Sequence, residues 1–196
     1  MVKGQLNQIE TVARRTIAGT FKLYKAFLEL EGGLKKGMNT DEPMEMKQKR
    51  FNIRELVMLQ KITSSWDCTD VLRTAMSIFG GHGVMEDFSA LPRLYRDAAI
   101  NELWEGPRNV LLTQIHRDFR RAAPWYSPAD AIRDILNGAD TAVISRLQQE
   151  ATVLVAHPSL VMPGEKTMEI CVRWDQFCHD LTHAFQDLAL GEVENG

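Results

Sequence analysis

A chain of 196 residues, 44% hydrophobic and 25% charged, has the composition of an ordinary globular protein. It is long enough for one sizeable core, burying roughly 70% of the surface that its unfolded form exposes. A formal charge of -3 provides no broad basic field and so argues against nucleic acid as a partner. No apolar run approaches the ~18 residues of a membrane span, and the polar start Met1-Val2-Lys3-Gly4-Gln5 has no apolar signal core; a cytoplasmic protein without a membrane span is expected. Three cysteines, Cys68, Cys171 and Cys178, read as reduced thiols rather than a disulfide framework.

Helical periodicity dominates from the first residues. Between about Leu6 and Leu30, Ile9, Ala13, Ile17, Phe21, Tyr24 and Leu28 recur at three- and four-residue steps, and Gly32-Gly33 supplies a stop. Residues 33 to 50, with Gly37, Asn39, Asp41, Pro43, Lys47, Lys49 and Arg50, lose the period and read as a polar, basic connection. A second helix is expected from about Phe51 to Phe79, with an apolar stripe of Leu56, Leu59, Ile62, Trp66, Leu72, Met76 and Phe79 over ~40 Å. Gly80 to Gly83 end it, and the stretch to Pro107 has no long period, predicting a structured loop with short helical pieces.

Pro107 suits a first helical turn, after which Val110, Leu111, Gln114, Ile115 and Phe119 continue to about Arg121. Pro124 and Pro128 mark a break. Two shorter helices follow at 129–137 and 140–156, parted by Asn137-Gly138. From Thr167 to near Gly191, the positions Ile170, Cys171, Trp174, Phe177, Cys178, Leu181, Phe185 and Leu188 form a broad apolar face. No alternating strand pattern competes.

Chemistry concentrates in one run: Ser77-Ile78-Phe79-Gly80-Gly81-His82-Gly83, then Pro92-Arg93-Leu94-Tyr95-Arg96-Asp97, then Trp104-Glu105-Gly106. Clustered glycines after a helix let backbone approach a ligand closely, and a carboxylate between a bulky aromatic and a glycine is a candidate proton-transfer group. The bland alternatives are a helix C-cap with a tight turn and a solvated loop glutamate.

These three segments, in this order and spacing, resemble the "IFGG-x-G", "RD" and "EG" motifs of the acyl-CoA dehydrogenases, in the C-terminal helical domain of that family. The resemblance spans roughly residues 5 to 120 and is nearest to the alkylation-response flavoprotein branch, which carries an extra helical tail. It implies an all-α, mainly antiparallel bundle over 1–122 with a helical extension, 123–196, packed on it. It also implies FAD as cofactor, an acyl-CoA substrate, and α,β-dehydrogenation in which Glu105 removes the α-proton. Trp104 and Gly106 would border the substrate, Trp104 by sheltering the carboxylate. Ser77, Ile78, Phe79, Gly80 and Gly81 would lie along the ADP part of FAD, commonly that of a neighbouring subunit, and Arg108 and Asn109 would meet a phosphate, a carboxylate or the flavin.

Departures from the family pattern are visible too. Ser77 stands where glutamine is common, and Pro107-Arg108-Asn109 replaces a hydroxyl residue, so that Pro107 has no N–H to donate. Arg96 and Asp97 look like a structural ion pair. The family's N-terminal helical domain, flavin-covering β-domain and "R.qFG" helix are not found in these residues. The chain therefore reads as the C-terminal part of a longer enzyme, as one piece of a split enzyme, or as a non-catalytic helical interaction module. A homo-oligomer, or a partner chain supplying the β-domain, is expected to cover the broad apolar helix faces.

Other constellations are weaker. His179 and His183, four apart on one helix, can chelate a metal but flank the apolar face rather than share it, and no metal site is assigned. Cys68 is expected to pack against neighbours, His82 to be a turn residue, and Ser145, His157 and Asp140 lack the elbow of a nucleophilic triad.

Overall fold

Pro43 and Glu45 show why the second helix begins where it does. Proline serves as N-cap because it needs no helical hydrogen bond, and a carboxylate in the first turn opposes the helix dipole. The computed structural model describes residues 1–30 and 42–196 of the chain. In it, α2 runs Met44–Ile78, seven residues earlier than the periodicity predicts. The charges taken for a loop are in its first turns: Lys49 pairs with Glu29, Arg50 with Glu42, and Lys47 sits 3.9 Å over the Trp125 ring. Lys and Arg are good helix formers, and their apolar stems pack while their charged ends reach solvent. Lys35, Lys36 and the Gly32-Gly33 stop lie outside the described residues.

The remaining elements are α1 (Val2–Leu28), a 3-10 turn (Gly80–Val84), α3 (Leu91–Leu103), α4 (Arg108–Ala122), α5 (Pro128–Ile135), α6 (Thr141–Val155) and α7 (Glu165–Asn195). All regular structure among the described residues is helical, as expected. Where a loop with short helical pieces is predicted, α3 is one continuous helix of 13 residues. Proline at its start is compatible with a helix, but its apolar residues Leu94, Ile100 and Leu103 face outward, leaving no stripe to read. The breaks around α5 and α6 fall where expected. Ser127 Oγ accepts from the Asp130 amide, Asp140 Oδ1 accepts from the Ala142 amide, and Gly138 has φ 99°.

Packing centres on α4 and α7. Leu111, Ile115 and Phe119 meet Leu59 of α2, Leu154 of α6 and Leu181 of α7 in one cluster that reaches Leu23 of α1 and Ile132 of α5. Trp174, 1% exposed, stacks on Phe177, takes His116 and Phe119 edge-on, and donates Nε1–H to the Leu112 carbonyl at 2.9 Å.

Helix α1 packs along both α2 and α7, with the face its periodicity did not single out. Ala18, Gly19 and Leu23 are buried, whereas the predicted stripe residues Ile17, Phe21, Tyr24 and Leu28 are 55–68% exposed. Gly19 lets the α7 backbone come close: a Cβ there would stand 2.7 Å from Gln186 Cγ. Small residues permit that approach, so the larger apolar side chains point outward. No described helix is long and apolar enough to cross a membrane.

Candidate active site

From the centre of α2, Lys61 reaches across to the link between α3 and α4. Its Nζ donates to the Gly106 carbonyl at 2.7 Å and to the Glu102 carbonyl at 3.4 Å. Glu105, between those acceptors, has φ 52°, and Gly106 itself has φ 103°. A left-handed glutamate costs on the order of 1 kcal/mol, and such a conformation survives only where its surroundings impose it. Gly106 has a second constraint, since a Cβ would lie 2.9 Å from Leu111 Cδ2. Pro107 is the N-cap of α4, one residue before the position predicted for it.

Glu105 and Trp104 line a cleft of about 550 Å³ together with Lys61, Ser64, Ser65 and Asn101. Glu105 is exposed and Trp104 is 67% exposed, so within this chain the indole leaves the carboxylate open to water. Desolvation pulls the Lys61 pKa below the usual lysine value, while the carboxylates of Glu105 and Glu102 push it back up. Cys68, expected to pack, is exposed at the same cleft. On a long helix packed on only part of its circumference, the apolar period does not say which side stays wet.

The glycine turn is elsewhere. Sixteen residues separate Lys61 from Ser77, about 24 Å along α2. Ser77 Oγ donates to the Thr74 carbonyl, Ile78 is half-buried, and Phe79, 48% exposed, meets Phe88 edge-on. A Cβ at Gly80 or Gly81 would meet nothing within 4 Å, so this backbone is open to a ligand. Gly83 is different: a Cβ there would collide with the Met76 carbonyl at 2.0 Å, which makes that glycine a packing requirement. His82 packs on Phe88. Arg96 pairs with Glu86 of the preceding loop instead of with Asp97, because neighbours in sequence point to different sides of a helix.

Arg108 and Asn109 stand in the first turn of α4. The Arg108 guanidinium donates Nε–H and Nη2–H to Oδ1 of Asp175 on α7 and lies 5.0 Å from the Trp66 ring centre. Asn109 is exposed.

Sequence reasoning missed the buried polar groups. Glu55 is fully buried with no hydrogen-bond partner for either carboxyl oxygen, and burial, reinforced by the Asp118 charge, pushes its pKa well up. His116 gives Nε2 to the Leu154 carbonyl at 3.1 Å, and burial depresses its pKa. Asp67 of α2 stands 2.8 Å from His183 Nε2 and 3.8 Å from His179 Nε2, with Arg15 Nη2 3.4 Å from Asp67 and 2.9 Å from the same His183 nitrogen. The i, i+4 histidines were the only legible part of this cluster, since Asp67 and Arg15 lie more than a hundred residues away. Asp67, His179 and His183 are grouped closely enough to hold a metal ion, but the Arg15 guanidinium stands among their ligand atoms and a divalent ion would have to displace it.

Burial pushes the Asp67 pKa up, but the bonds to His179 and His183 and the charges of His183 and Arg15 outweigh it and hold the carboxyl well below the usual range. Its folded pKa is therefore below its unfolded value near 4, so the stability it contributes is complete above about pH 4 and is lost as pH falls further. Asp67→Asn is expected to lose about 3 kcal/mol at pH 7 by urea denaturation, with the gap to wild type narrowing on acidification below about pH 4. An equal gap at all pH values would show that charge is not what Asp67 contributes.

The described residues form an all-helical bundle with a glycine turn closing one long helix and a glutamate-glycine turn opening another, an arrangement similar to the acyl-CoA dehydrogenase C-terminal domain. The family model described as "Acyl-CoA dehydrogenase, C-terminal domain" matches residues 36–119 of the chain. It is 34% identical over 79 residues to the putative acyl-CoA dehydrogenase AidB of Escherichia coli K12, a match covering 39% of this chain and 14% of that protein. It is 26% identical over 132 residues to acyl-CoA dehydrogenase family member 11 of Caenorhabditis elegans, covering 62% of this chain and 21% of that one. The solved structure titled "Bd2924 apo-form" superposes with TM-score 0.68 at 22% identity, covering 98% of this chain and 33% of its own, and so shares the fold. The chain thus spans about a fifth or less of these curated relatives and a third of that structure.

Proposed function

We propose that this chain forms one wall of an FAD-dependent site for α,β-dehydrogenation of acyl-CoA thioesters, with Glu105 as the base that takes the α-proton. The observation that carries this reading is the Glu105-Gly106 turn, two successive residues with positive φ that present a carboxylate at a cleft inside the family-matched stretch. FAD, when bound, supplies the acceptor for the β-hydrogen.

The chain's own residues have separable tasks. Glu105 accepts the proton, and Gly106 leaves no side chain between that carboxylate and a thioester. Trp104 is free to fold over the substrate, and closing the site strips water from the carboxylate and strengthens it as a base. The open backbone of Phe79, Gly80 and Gly81, with Ser77 and Ile78 behind it, fits the pyrophosphate side of FAD, needing no side chain. Its distance of about 24 Å along α2 from Lys61 suits a turn serving the ADP part of a neighbouring subunit's cofactor rather than the ring at Glu105. Asn109 remains available for the flavin, whereas Arg108 reaches a phosphate only by leaving Asp175.

The exposed stripe Ile17, Phe21, Tyr24 and Leu28 supports association with a second copy or with a chain bearing the β-domain. That stripe, and the commitment of Arg108 to Asp175, also favour a second reading: a helical association module without catalysis. The two separate when this chain, assembled with a chain that bears the β-domain, is loaded with FAD and mixed anaerobically with an acyl-CoA. Bleaching of the flavin, lost in Glu105→Gln, supports the dehydrogenase; no flavin retained and no bleaching supports the module.

A further inference from the structure

Among the described residues, Lys61 is the one cation whose hydrogen bonds bracket Glu105, and the function proposed above gives it no task. Its ammonium accepts no role in proton transfer from its contacts: both are to backbone carbonyls, those of Glu102 and Gly106. The first belongs to the last turn of α3, where carbonyls have no intrahelical partner, and the second follows the left-handed glutamate. One charged side chain on the rigid middle of α2 thus fixes both ends of the five-residue path from Glu102 to Gly106, whose fourth member, Glu105, has a conformation that L residues rarely adopt. The other side is braced by Pro107 and by Leu111 beneath Gly106. A left-handed residue persists where its neighbours over-determine it, and here the supports converge on Glu105.

We infer that Lys61 is the positioning residue for Glu105: by holding the Glu102 and Gly106 carbonyls it keeps the carboxylate at the cleft in the orientation that proton abstraction needs. This rests on the reading of Glu105 as the base. Three donors on a flexible stem let one ammonium serve two carbonyls, and arginine, with its planar fork, can reproduce both bonds while methionine can reproduce neither. The charge also favours the α3 terminus, whose carbonyl ends carry partial negative charge.

The test compares Lys61→Met and Lys61→Arg with wild type in two measurements. In the first, the Cα and Cβ chemical shifts of Glu105, which report its backbone dihedrals, are recorded without any substrate. Lys61→Met is expected to lose the left-handed signature while Lys61→Arg keeps it, with core α4 and α7 shifts unchanged in both. In the second, FAD-loaded protein is mixed anaerobically with acyl-CoA. Lys61→Met is expected to slow flavin reduction about 100-fold, with substrate affinity changed less than about threefold, and Lys61→Arg to recover to within about tenfold of wild type. Unchanged Glu105 shifts in Lys61→Met overturn the clamp. Changed shifts with undiminished reduction overturn the positioning role. Wild-type reduction by Glu105→Gln instead overturns the base assignment, a distinct failure, because the shifts are read without catalysis.

Discussion

Glu105→Gln is expected to slow acyl-CoA-dependent flavin reduction by on the order of 10⁴ while leaving flavin and substrate bound, since general-base contributions reach that size. Glutamine keeps the shape of the side chain but has no basic oxygen, so the change isolates proton abstraction from packing. The turn itself should survive: the amide is no larger, and Lys61 bonds backbone carbonyls rather than the Glu105 side chain. Glu105→Asp provides the intermediate case. It retains the base but draws it back by about one bond length, a displacement of the size that can cost about 100-fold. Rates graded as wild type, aspartate, glutamine identify a positioned base. Equal rates for all three remove Glu105 from the chemistry and leave the association module as the reading.

The second expected result concerns stability. Trp174→Ala should lose about 4 kcal/mol, read as the shift in urea midpoint at constant slope and as a melting temperature lower by roughly 10 °C. Trp174 is 1% exposed, and three aromatic neighbours, His116, Phe119 and Phe177, frame the hole its removal leaves. The Leu112 carbonyl, inside α4, also loses its indole donor. Trp174→Phe separates these effects. It keeps a ring in the stack and forfeits the hydrogen bond and some volume, so about 2 kcal/mol is expected. A loss under about 1 kcal/mol for alanine would mean that α7 is held by its ends rather than by this centre. The helix that would come loose also carries Asp175 and the two histidines facing Asp67, so the same substitution should release Arg108.

Much of the fold was legible because burial is periodic. The face Ile170, Trp174, Phe177, Cys178, Leu181 and Phe185 is apolar in sequence and buried in the bundle, since α7 packs on several helices at once. Helix α1 shows the opposite case. Its most apolar stripe is exposed, and a stripe of small residues is what packs, since a periodicity reports which face avoids water but not which partner covers it. Helix α3 has no legible period for a related reason: Pro92 and Ala98 are buried while larger apolar residues point out. At the site, Trp104-Glu105-Gly106 could be picked out because an aromatic, a carboxylate and a glycine in that order match a family motif. Lys61 could not. It lies 45 residues from Gly106 and contacts only backbone atoms, which leave no trace in side-chain pattern.

By itself, then, the sequence determined a helical chain, the breaks around α5 and α6, and the turn that bears the candidate base, because helix periodicity, caps and glycines are encoded within a few residues of where they act. Only the tertiary structure decided that Lys61 holds that turn, that Arg108 is committed to Asp175, and that Asp67 gathers Arg15, His179 and His183. Those are contacts between distant segments, and their partners are chosen by how whole helices pack rather than by local pattern.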